Sequence, residues 1–227
     1  SEQYGSFDFK STTLNSQYET NKSKTFVTND LLWNPSSTIN NLGFLNTFEA
    51  MIRNINYETK KTEEYKNDKT VNEIHGVMTY KSSLPLKKDG IKYSNFFSPN
   101  FMLRYAPGHM RNLSSNTESF NYTNLYSLNR TSEIESGLSA VLGFEYKTNK
   151  KLSNNNEVEK LSISMGQVFN YEKNKDIPTQ TSLDQKMSDV VGNIDYNFSE
   201  IGKIGYKFSV DHNLQDLNYN EISTELN

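Results

Sequence analysis

The chain has 227 residues, a formal net charge of −3 and no cysteine, and only 34% of its residues are hydrophobic. This charge gives no basic footprint for nucleic acid, and the lack of cysteine excludes disulfides and thiolate metal sites. With 14 tyrosines and 13 phenylalanines, the chain is too aromatic for a disordered protein. An apolar run of about 18 residues, as a transmembrane helix needs, is missing, whereas strands of alternating polarity can still build a membrane barrel.

The first half of the chain contains several segments in which apolar and polar residues alternate, the pattern of a strand with two different faces. These segments lie at residues 24–33, 42–57, 71–81 and 96–107, and Tyr4, Phe7 and Phe9 indicate a further strand. Residues 42–57 could also form a helix, but recurring Asn and Thr and the lack of a cap favour a strand. The charged residues 58–70 are expected to be a solvated connection, and residues 108–117 a loop.

The second half continues the pattern, with predicted strands at residues 120–128, 134–147 and 160–171. The clearest strand is 134–147, in which one face collects Ile134, Leu138, Ala140, Leu142, Phe144 and Tyr146. Val141 is the exception to its alternation. Residues 149–156 are expected to form a turn, and residues 172–185 a polar loop.

Residues 186–213 predict a hairpin with one apolar, aromatic face and one charged face. The apolar face carries Val190, Ile194, Tyr196, Phe198, Ile204, Tyr206, Phe208 and Val210. Ser199, Glu200 and Gly202 supply the turn. Such a hairpin needs an apolar environment on one side only, which is either a soluble core or lipid.

The pattern as a whole predicts about ten strands of roughly 9–14 residues, longer than the roughly 5–6 residues usual in soluble proteins. Transmembrane strands need about 9–11 residues, and their barrels have short turns at one rim and long loops at the other. Aromatic residues near strand ends, such as Tyr57 and Tyr146, suit an interfacial girdle. We therefore predict an all-β antiparallel meander that is part of a large transmembrane β-barrel. A soluble barrel or sandwich explains the alternation, but explains strand length and loop asymmetry less well.

Two segments resemble the barrel of the LPS-assembly protein LptD family, also called the organic solvent tolerance family. They are SPNFMLRYAPGHMRN at residues 98–112 and QKMSDVVGNIDYNFSEIGKIGYKFSVDHNLQDLNYNEI at residues 185–222. The most specific part is Ser188-Asp189-Val190-Val191-Gly192 followed by a two-strand meander. Both ends of the chain look like interrupted strands, so residues 1–227 are expected to be one barrel segment, incomplete at both ends.

The resemblance implies a bacterial outer-membrane protein that delivers lipopolysaccharide to the outer leaflet without chemical catalysis. It also implies a plug lipoprotein, LptE, inside the barrel and a periplasmic bridge protein, LptA, that feeds it. The family's lateral seam lies between its first and last strands, so the resemblance locates no gate residue in this segment.

The alternation assigns polar positions to a hydrophilic lumen and apolar positions to membrane lipid. The candidate lumen-facing residues are Glu135, Ser139, Glu145, Ser162, Ser164, Asp189, Asn193, Asp195, Lys203, Lys207 and Asp211. The candidate lipid-facing residues are Leu138, Leu142, Phe144, Ile194, Tyr206 and Phe208. Mixed charges and hydroxyls suit saccharide and phosphate groups in water, although each residue could simply solvate a lumen or contact a plug.

The sequence offers little for catalysis, and we expect no enzymatic site, no metal and no cofactor. His75, His109 and His212 are isolated, and Ser209, Asp211 and His212 are too close along one strand for a persuasive triad. Glu63 and Glu64 lack metal-ligand spacing.

Arg104 and Arg111 could meet phosphate, although basic residues at strand ends also meet lipid headgroups or water. The alternative functions are an unrelated outer-membrane porin or receptor and a lipid-modifying outer-membrane enzyme.

Overall fold

The computed structural model describes residues 4–62, 65–152, 156–199 and 201–226. Glu63 and Glu64 of the charged connection and Glu200 of the predicted turn lie outside these residues. Regular structure in the described chain is almost all β-strand, with short 3₁₀ turns at Tyr122–Asn124 and Thr179–Thr181. Among the described residues, no helix is long and apolar enough to cross a membrane.

The strands form one antiparallel sheet in which neighbours along the chain are neighbours in space. In chain order they are β1 Ser6–Gln17, β2 Ser23–Asn34, β3 Thr38–Ile39, β4 Leu45–Lys60, β5 Thr70–Ser83, β6 Leu86–Asp89, β7 Tyr93–Ala106, β8 Gly137–Lys151, β9 Glu157–Asn170, β10 Val190–Asn197, β11 Gly202–Val210 and β12 Leu217–Leu226. The short β3 and β6 lie off the main path and pair with β4 and β7. The predicted all-β meander of about ten long strands is confirmed.

The sheet is open in the part of the chain that the structure describes, because no ladder joins β1 to β12. Each of these strands is paired along one edge only, β1 with β2 and β12 with β11. The backbone N–H and C=O groups along the two outer edges therefore have no strand partner within the described sheet.

Two predictions about the second half are wrong. Residues 120–128 do not form a strand but an irregular segment around the first 3₁₀ turn, in which Phe120 and Leu125 are buried. Strand β8 begins at Gly137, so Ile134 precedes it and is buried rather than on the apolar face of that strand. Apolar residues spaced two apart also suit a loop that packs onto a sheet, and sequence alone does not distinguish the two cases.

The ladder register divides the sheet into two faces of opposite character. We call the first the covered face; its central positions are Met102 on β7, Val141 on β8 and Val168 on β9, all fully buried. We call the other the open face; it carries exposed side chains such as Leu103 and Leu142. Side chains alternate along each strand, so the covered face is defined by one parity in each strand and the open face by the other.

The connections at the two ends of the strands differ in length, as predicted. At one end of the strands, which we call the long-loop edge, lie the described residues 18–22, 61–62, 65–69, 107–136, 171–189 and 211–216. At the opposite end lie the described residues 35–44, 84–92, 152, 156, 198–199 and 201. The asymmetry comes mainly from the connections 107–136 and 171–189.

These two connections, which we call the cover, pack over the covered face rather than extending into solvent. One core contains Met102, Val141, Val168 and Val191 of the strands together with Met110, Leu113, Phe120, Leu125, Ile177 and Leu183 of the cover. A second core joins Met51, Val77 and Ala106 of the strands to Ile134 of the cover. Val141, the exception to the alternation of its strand, thus faces the cover. Burial of such a side chain contributes roughly 1.5–3 kcal/mol.

Two glycines on neighbouring strands create the depression that receives the cover. Gly143 of β8 and Gly166 of β9 are direct ladder partners. A Cβ atom on Gly143 would lie 2.4 Å from the hydroxyl of Tyr126, and one on Gly166 would lie 2.6 Å from Cδ2 of Leu125. The missing side chains therefore allow the first 3₁₀ segment to contact the sheet directly.

We expect Gly143→Ala to loosen the cover, because its Cβ would also lie 2.3 Å from the backbone oxygen of Met165, which cannot rotate away. Overpacking of this kind costs roughly 1–3 kcal/mol. The measurement is the rate of protease cleavage within residues 107–136 of the purified full-length protein.

Gly76→Ala is the matched control, because a Cβ there meets nothing closer than a backbone oxygen at 4.0 Å. Cleavage that is equally slow in both variants would contradict the packing described for Gly143.

Candidate functional site

Most of the predicted polar residues lie on the covered face. The members within strands are Ser139, Glu145, Ser162, Ser164, Asn193, Asp195, Lys203 and Lys207. The six candidate lipid-facing residues, Leu138, Leu142, Phe144, Ile194, Tyr206 and Phe208, all lie on the open face. The ladder register therefore places these two sets of residues on opposite faces of the sheet, as the alternation in the sequence predicts. Which face lines a lumen and which meets lipid stays a prediction.

Three predicted polar residues lie outside the strands. Glu135 belongs to the cover, and Asp189 immediately precedes β10. Asp211 follows β11, and its carboxylate accepts hydrogen bonds from the backbone N–H groups of Asp216 at 3.0 Å and Gln215 at 2.6 Å. These bonds lower the pKa of Asp211, with the Asp216 bond contributing most. The side chain of Asp211 therefore caps the β11–β12 hairpin from a position just beyond the strand, and its assignment to a lumen stays a prediction.

Away from the cover, the covered face of the sheet carries cross-strand pairs of opposite charge. Lys203 Nζ lies 3.0 Å from Asp195 Oδ1, and Lys207 Nζ lies 3.1 Å from Glu221 Oε1. Both pairs connect strands among β10, β11 and β12. Exposed pairs of this kind contribute little to stability, roughly 0–1 kcal/mol, but they keep the surface hydrated and rich in donors and acceptors.

Two tyrosines of the cover meet a carboxylate of the sheet. The hydroxyl of Tyr122 donates to Glu145 Oε1 at 3.0 Å, and Tyr126 packs against Tyr122 with ring centroids 6.1 Å apart. Burial, and after it the negative charge of Glu145, raises the pKa of both tyrosines. Both phenols therefore stay protonated at neutral pH and can act as hydrogen-bond donors.

A buried arginine of β7 donates hydrogen bonds to two backbone carbonyl groups of the cover. Arg104 is 1% exposed, and its Nε donates to the carbonyl oxygen of Leu128 at 2.7 Å. Its Nη1 donates to the carbonyl oxygen of Glu135 at 2.8 Å. One guanidinium thus satisfies two backbone acceptors of a loop that has no ladder of its own.

Glu135 and Arg130 form a buried ion pair beside Arg104. Glu135 Oε2 accepts from Arg130 Nε at 3.0 Å and lies 2.9 Å from Nη2, while Oε1 accepts from the backbone N–H of Arg130 at 2.8 Å. Arg130 Nη2 also donates to Ser139 Oγ at 3.0 Å, which links the pair to β8. Burial raises the pKa of Glu135, but attraction to Arg130 and then to Arg104 outweighs it, so the pKa lies below its usual value.

A second arginine ties the cover to the strands on the other side. Arg111 Nη1 donates to Glu133 within the cover and Nη2 donates to Glu73 of β5, both at 2.7 Å. Its guanidinium carbon lies 4.7 Å from the ring centroid of Tyr65 and 5.4 Å from that of Tyr57. Arg111 therefore combines ion pairing with stacking, which a lysine would not reproduce.

The Ser188-Asp189 element acts as a clasp between strands. Ser188 Oγ accepts from the backbone N–H of Val168 at 3.0 Å. Asp189 Oδ2 accepts from Ser209 Oγ and from Asn218 Nδ2, both at 2.8 Å. The most specific part of the sequence resemblance therefore fixes how the second connection of the cover returns into β10.

The residues considered for catalysis do not converge. Ser209 donates to Asp189, Asp211 caps its hairpin, and His212 is exposed. The rings of His75 and His109 lie 5.7 Å apart at the long-loop edge. Within the described residues, no group of three or more His, Asp or Glu side chains could hold a metal ion.

No sequence pattern pointed to Arg130 or Glu133, or indicated that Met110, Leu113 and Leu125 would form a layer over the sheet. The available signal was the set of apolar residues that interrupt an otherwise polar face, such as Val141. Those exceptions mark where something packs onto the face, but they do not identify the segment that does so.

The lowered pKa of Glu135 predicts an acid-sensitive cover. Stabilisation by the ion pair is fully present above the ordinary glutamate value of 4.5 and is lost as pH falls through the lower folded value. Glu135→Gln should cost roughly 1.5–3 kcal/mol at neutral pH and remove this acid-dependent component. The measurement is hydrogen exchange of residues 107–136 in the full-length protein at neutral pH and below pH 4.5.

Glu172→Gln, at an exposed carboxylate of the second connection, is the control and should behave like wild type. If acid loosened the cover equally in wild type and Glu135→Gln, the role of this ion pair would be refuted.

The comparison with known families agrees with this arrangement. Residues 2–227 match the family model for LptD, described as LPS transport system D. A search among curated proteins finds no match to the chain. LptD is an outer-membrane family of lipopolysaccharide transport and assembly, and an all-β antiparallel meander is the fold expected of its barrel. The family model covers nearly the whole chain, and the chain therefore belongs to the LptD family.

Proposed function

We propose that this chain forms part of the wall of an outer-membrane barrel that inserts lipopolysaccharide into the outer leaflet. The observation that carries the proposal is the family match over residues 2–227, on a sheet with one apolar and one polar face. The protein's part is physical rather than chemical, because the glycolipid only has to move from one compartment to another. Its acyl chains would stay in the membrane while its sugars pass through a hydrophilic lumen.

The strand dimensions support a membrane-spanning role. Strands β7 and β8 have 14 and 15 residues. At about 3.3 Å per residue and a tilt of about 45°, such strands span roughly 30–35 Å, which exceeds the roughly 25 Å apolar band of outer-membrane barrels. The open face also exposes many large apolar side chains, among them Leu103, Tyr105 and Leu142. A contiguous apolar face of this kind needs lipid or protein to cover it.

The covered face supports the proposal of a hydrophilic lumen. Its cross-strand ion pairs and hydroxyls offer saccharide and phosphate groups the donors and acceptors they have in water. We propose that this face lines the lumen and that the cover narrows the lumen at the long-loop edge. Barrels of the outer membrane carry their longer loops outside the cell, so this edge is proposed to be extracellular.

The open sheet supports a larger barrel. Unpaired N–H and C=O groups along β1 and β12 are too costly to leave in hydrocarbon, so further strands are proposed to close the barrel. Family membership supports a plug lipoprotein, LptE, in the lumen and a periplasmic bridge, LptA, as partners.

We predict that residues 1–227 alone do not insert as a stable barrel, because the two open edges would remain unpaired in the bilayer. The measurement is folding into detergent and lipid followed by electrophoresis with and without heating. A monodisperse, heat-modifiable barrel made from this segment alone would contradict the proposal of a larger barrel.

The assignment of faces is tested by placing charge on one face and removing it from the other. Leu142→Lys would put a lysine on the open face, at a cost of roughly 2–4 kcal/mol near the bilayer midplane. Asp195→Leu removes a charge from the polar face and should leave insertion largely intact. In cells that depend on the full-length protein, Leu142→Lys should therefore reduce assembled protein and surface lipopolysaccharide more than Asp195→Leu does.

The reverse order would move every proposed lumen residue to the lipid side. Spin labels at Leu142 and Phe208 give a direct measurement of the same point. Both labels should be accessible to oxygen in bilayers, and protection of both would exclude a lipid-facing open face.

A further inference from the structure

The open face changes from apolar to polar toward the long-loop edge of β1, β2, β4 and β5. On β4 its positions are, in chain order, Phe48, Ala50, Ile52, Asn54, Asn56, Glu58 and Lys60. We call the uncharged polar group on these four strands the amide patch; its members are Ser11, Asn29, Asn54, Asn56 and Asn72. The amide patch directly adjoins the apolar part of the same face, because every second side chain of a strand shares one face.

Hydrogen bonds connect the amide patch across the four strands. Ser11 Oγ donates to Asn29 Oδ1 at 2.7 Å, and Asn29 Nδ2 donates to Asn54 Oδ1 at 3.5 Å. Asn56 Nδ2 donates to Asn54 Oδ1 at 2.6 Å, and Asn72 Nδ2 donates to Asn56 Oδ1 at 2.5 Å. Each amide has two N–H donors and one acceptor oxygen, so these bonds orient the side chains and leave capacity for a ligand.

Strand β4 is longer than an apolar band requires. Its 16 residues span roughly 37 Å at about 3.3 Å per residue and a tilt of about 45°, against a band of roughly 25 Å. The excess of roughly 12 Å corresponds to about five residues, close to the polar stretch from Asn54 to Lys60. Amide groups are costly to leave in hydrocarbon, so a lipid-facing open face would hold this stretch at the depth of the lipid headgroups.

Lysines surround the long-loop end of the amide patch. An open cavity of about 560 Å³ lies between residues 18–22 and the end of β4, and its lining includes Lys22, Lys60 and Lys61. Asp68 is the one carboxylate among the described residues of this lining, and the exposed Tyr18 adds an aromatic ring. Lys22 and Lys60 make no ion pair with a described residue. Three amino groups against one carboxylate make this cavity favourable for an anion.

We propose that the amide patch and the adjoining lysines bind the phosphate-bearing headgroup of a membrane lipid. The ammonium groups of the lysines pair with phosphate oxygens, and the amides meet hydroxyl groups beside the phosphate. An amphipathic lipid fits better than a soluble anion, because the apolar part of the open face continues from the patch and can contact acyl chains. The depth of the site in the membrane rests on the proposed function, which puts the open face in lipid.

The test measures lipid binding to the purified full-length protein in detergent, by native mass spectrometry. The probes are lipid A with its phosphates, the same lipid A after enzymatic dephosphorylation, and phosphatidylglycerol. At least one phosphate-bearing lipid should bind fivefold or more tightly than dephosphorylated lipid A. Preference for lipid A assigns the site to a glycolipid, and equal or stronger binding of phosphatidylglycerol assigns it to an anionic phospholipid.

Two variants locate the binding on this surface. The double variant Lys22→Gln/Lys60→Gln should weaken binding of the phosphate-bearing lipid at least fivefold. Glu58→Gln removes an exposed carboxylate between Asn56 and Lys60 and should strengthen binding severalfold, a gain that a misfolded protein would not show.

The matched control is Lys88→Gln/Lys150→Gln, which removes two exposed lysines from the open face at the opposite end of the strands. It should leave lipid binding unchanged. An equal loss in both double variants would show general attraction to positive charge and would overturn the site.

Unchanged binding in a folded Lys22→Gln/Lys60→Gln protein would also overturn the site, as would equal binding of dephosphorylated lipid A. A photoreactive residue in place of Asn72 should cross-link to lipid in cells, and cross-links to protein alone would exclude a lipid occupant. If lipid binding follows these predictions in a protein that fails to support surface lipopolysaccharide, the proposed function fails and the site stands.

Discussion

The packing of the cover onto one face of the sheet is the contact on which the rest of the structure depends. A meander of long strands has no layer of its own to bury apolar side chains against, and here residues 107–136 and 171–189 supply that layer. The apolar contacts are supported by buried polar ones, because irregular backbone must find hydrogen-bond partners when it leaves water. Arg104 meets that need for two carbonyl groups at once.

The cover packs onto only part of the covered face, so this face has two regions with different physical properties. Near the long-loop edge, arginines and carboxylates are buried and fixed, with Arg104, Arg130 and Glu135 in one network. Farther along β10 to β12, charges such as Lys207 and Glu221 are partly exposed and paired across strands. The buried network and the partly exposed cross-strand pairs therefore lie in separate regions of the same face.

The fold and the family agree in what they require of this segment. An outer-membrane barrel needs strands that pair completely, one apolar face and one polar face, and the sheet has a face of each kind. Complete pairing is met along every ladder except at β1 and β12. The Ser188-Asp189 clasp, the most specific part of the sequence resemblance, has a structural role, since it holds β9, β11 and β12 to the start of β10.

The sequence by itself determined the all-β meander, most strand positions and the separation of Leu142 from Glu145 onto opposite faces, because side-chain direction in a strand follows a period of two. It did not predict that residues 120–128 and Ile134, which have strand-like spacing, lie in the cover. Only the tertiary structure decided that Val141 faces a loop, that Asp211 caps a hairpin, and that Arg104 and Arg130 lie in one buried network. These outcomes depend on contacts between residues distant in the chain, and local periodicity carries no information about which distant segment will fold over a given face.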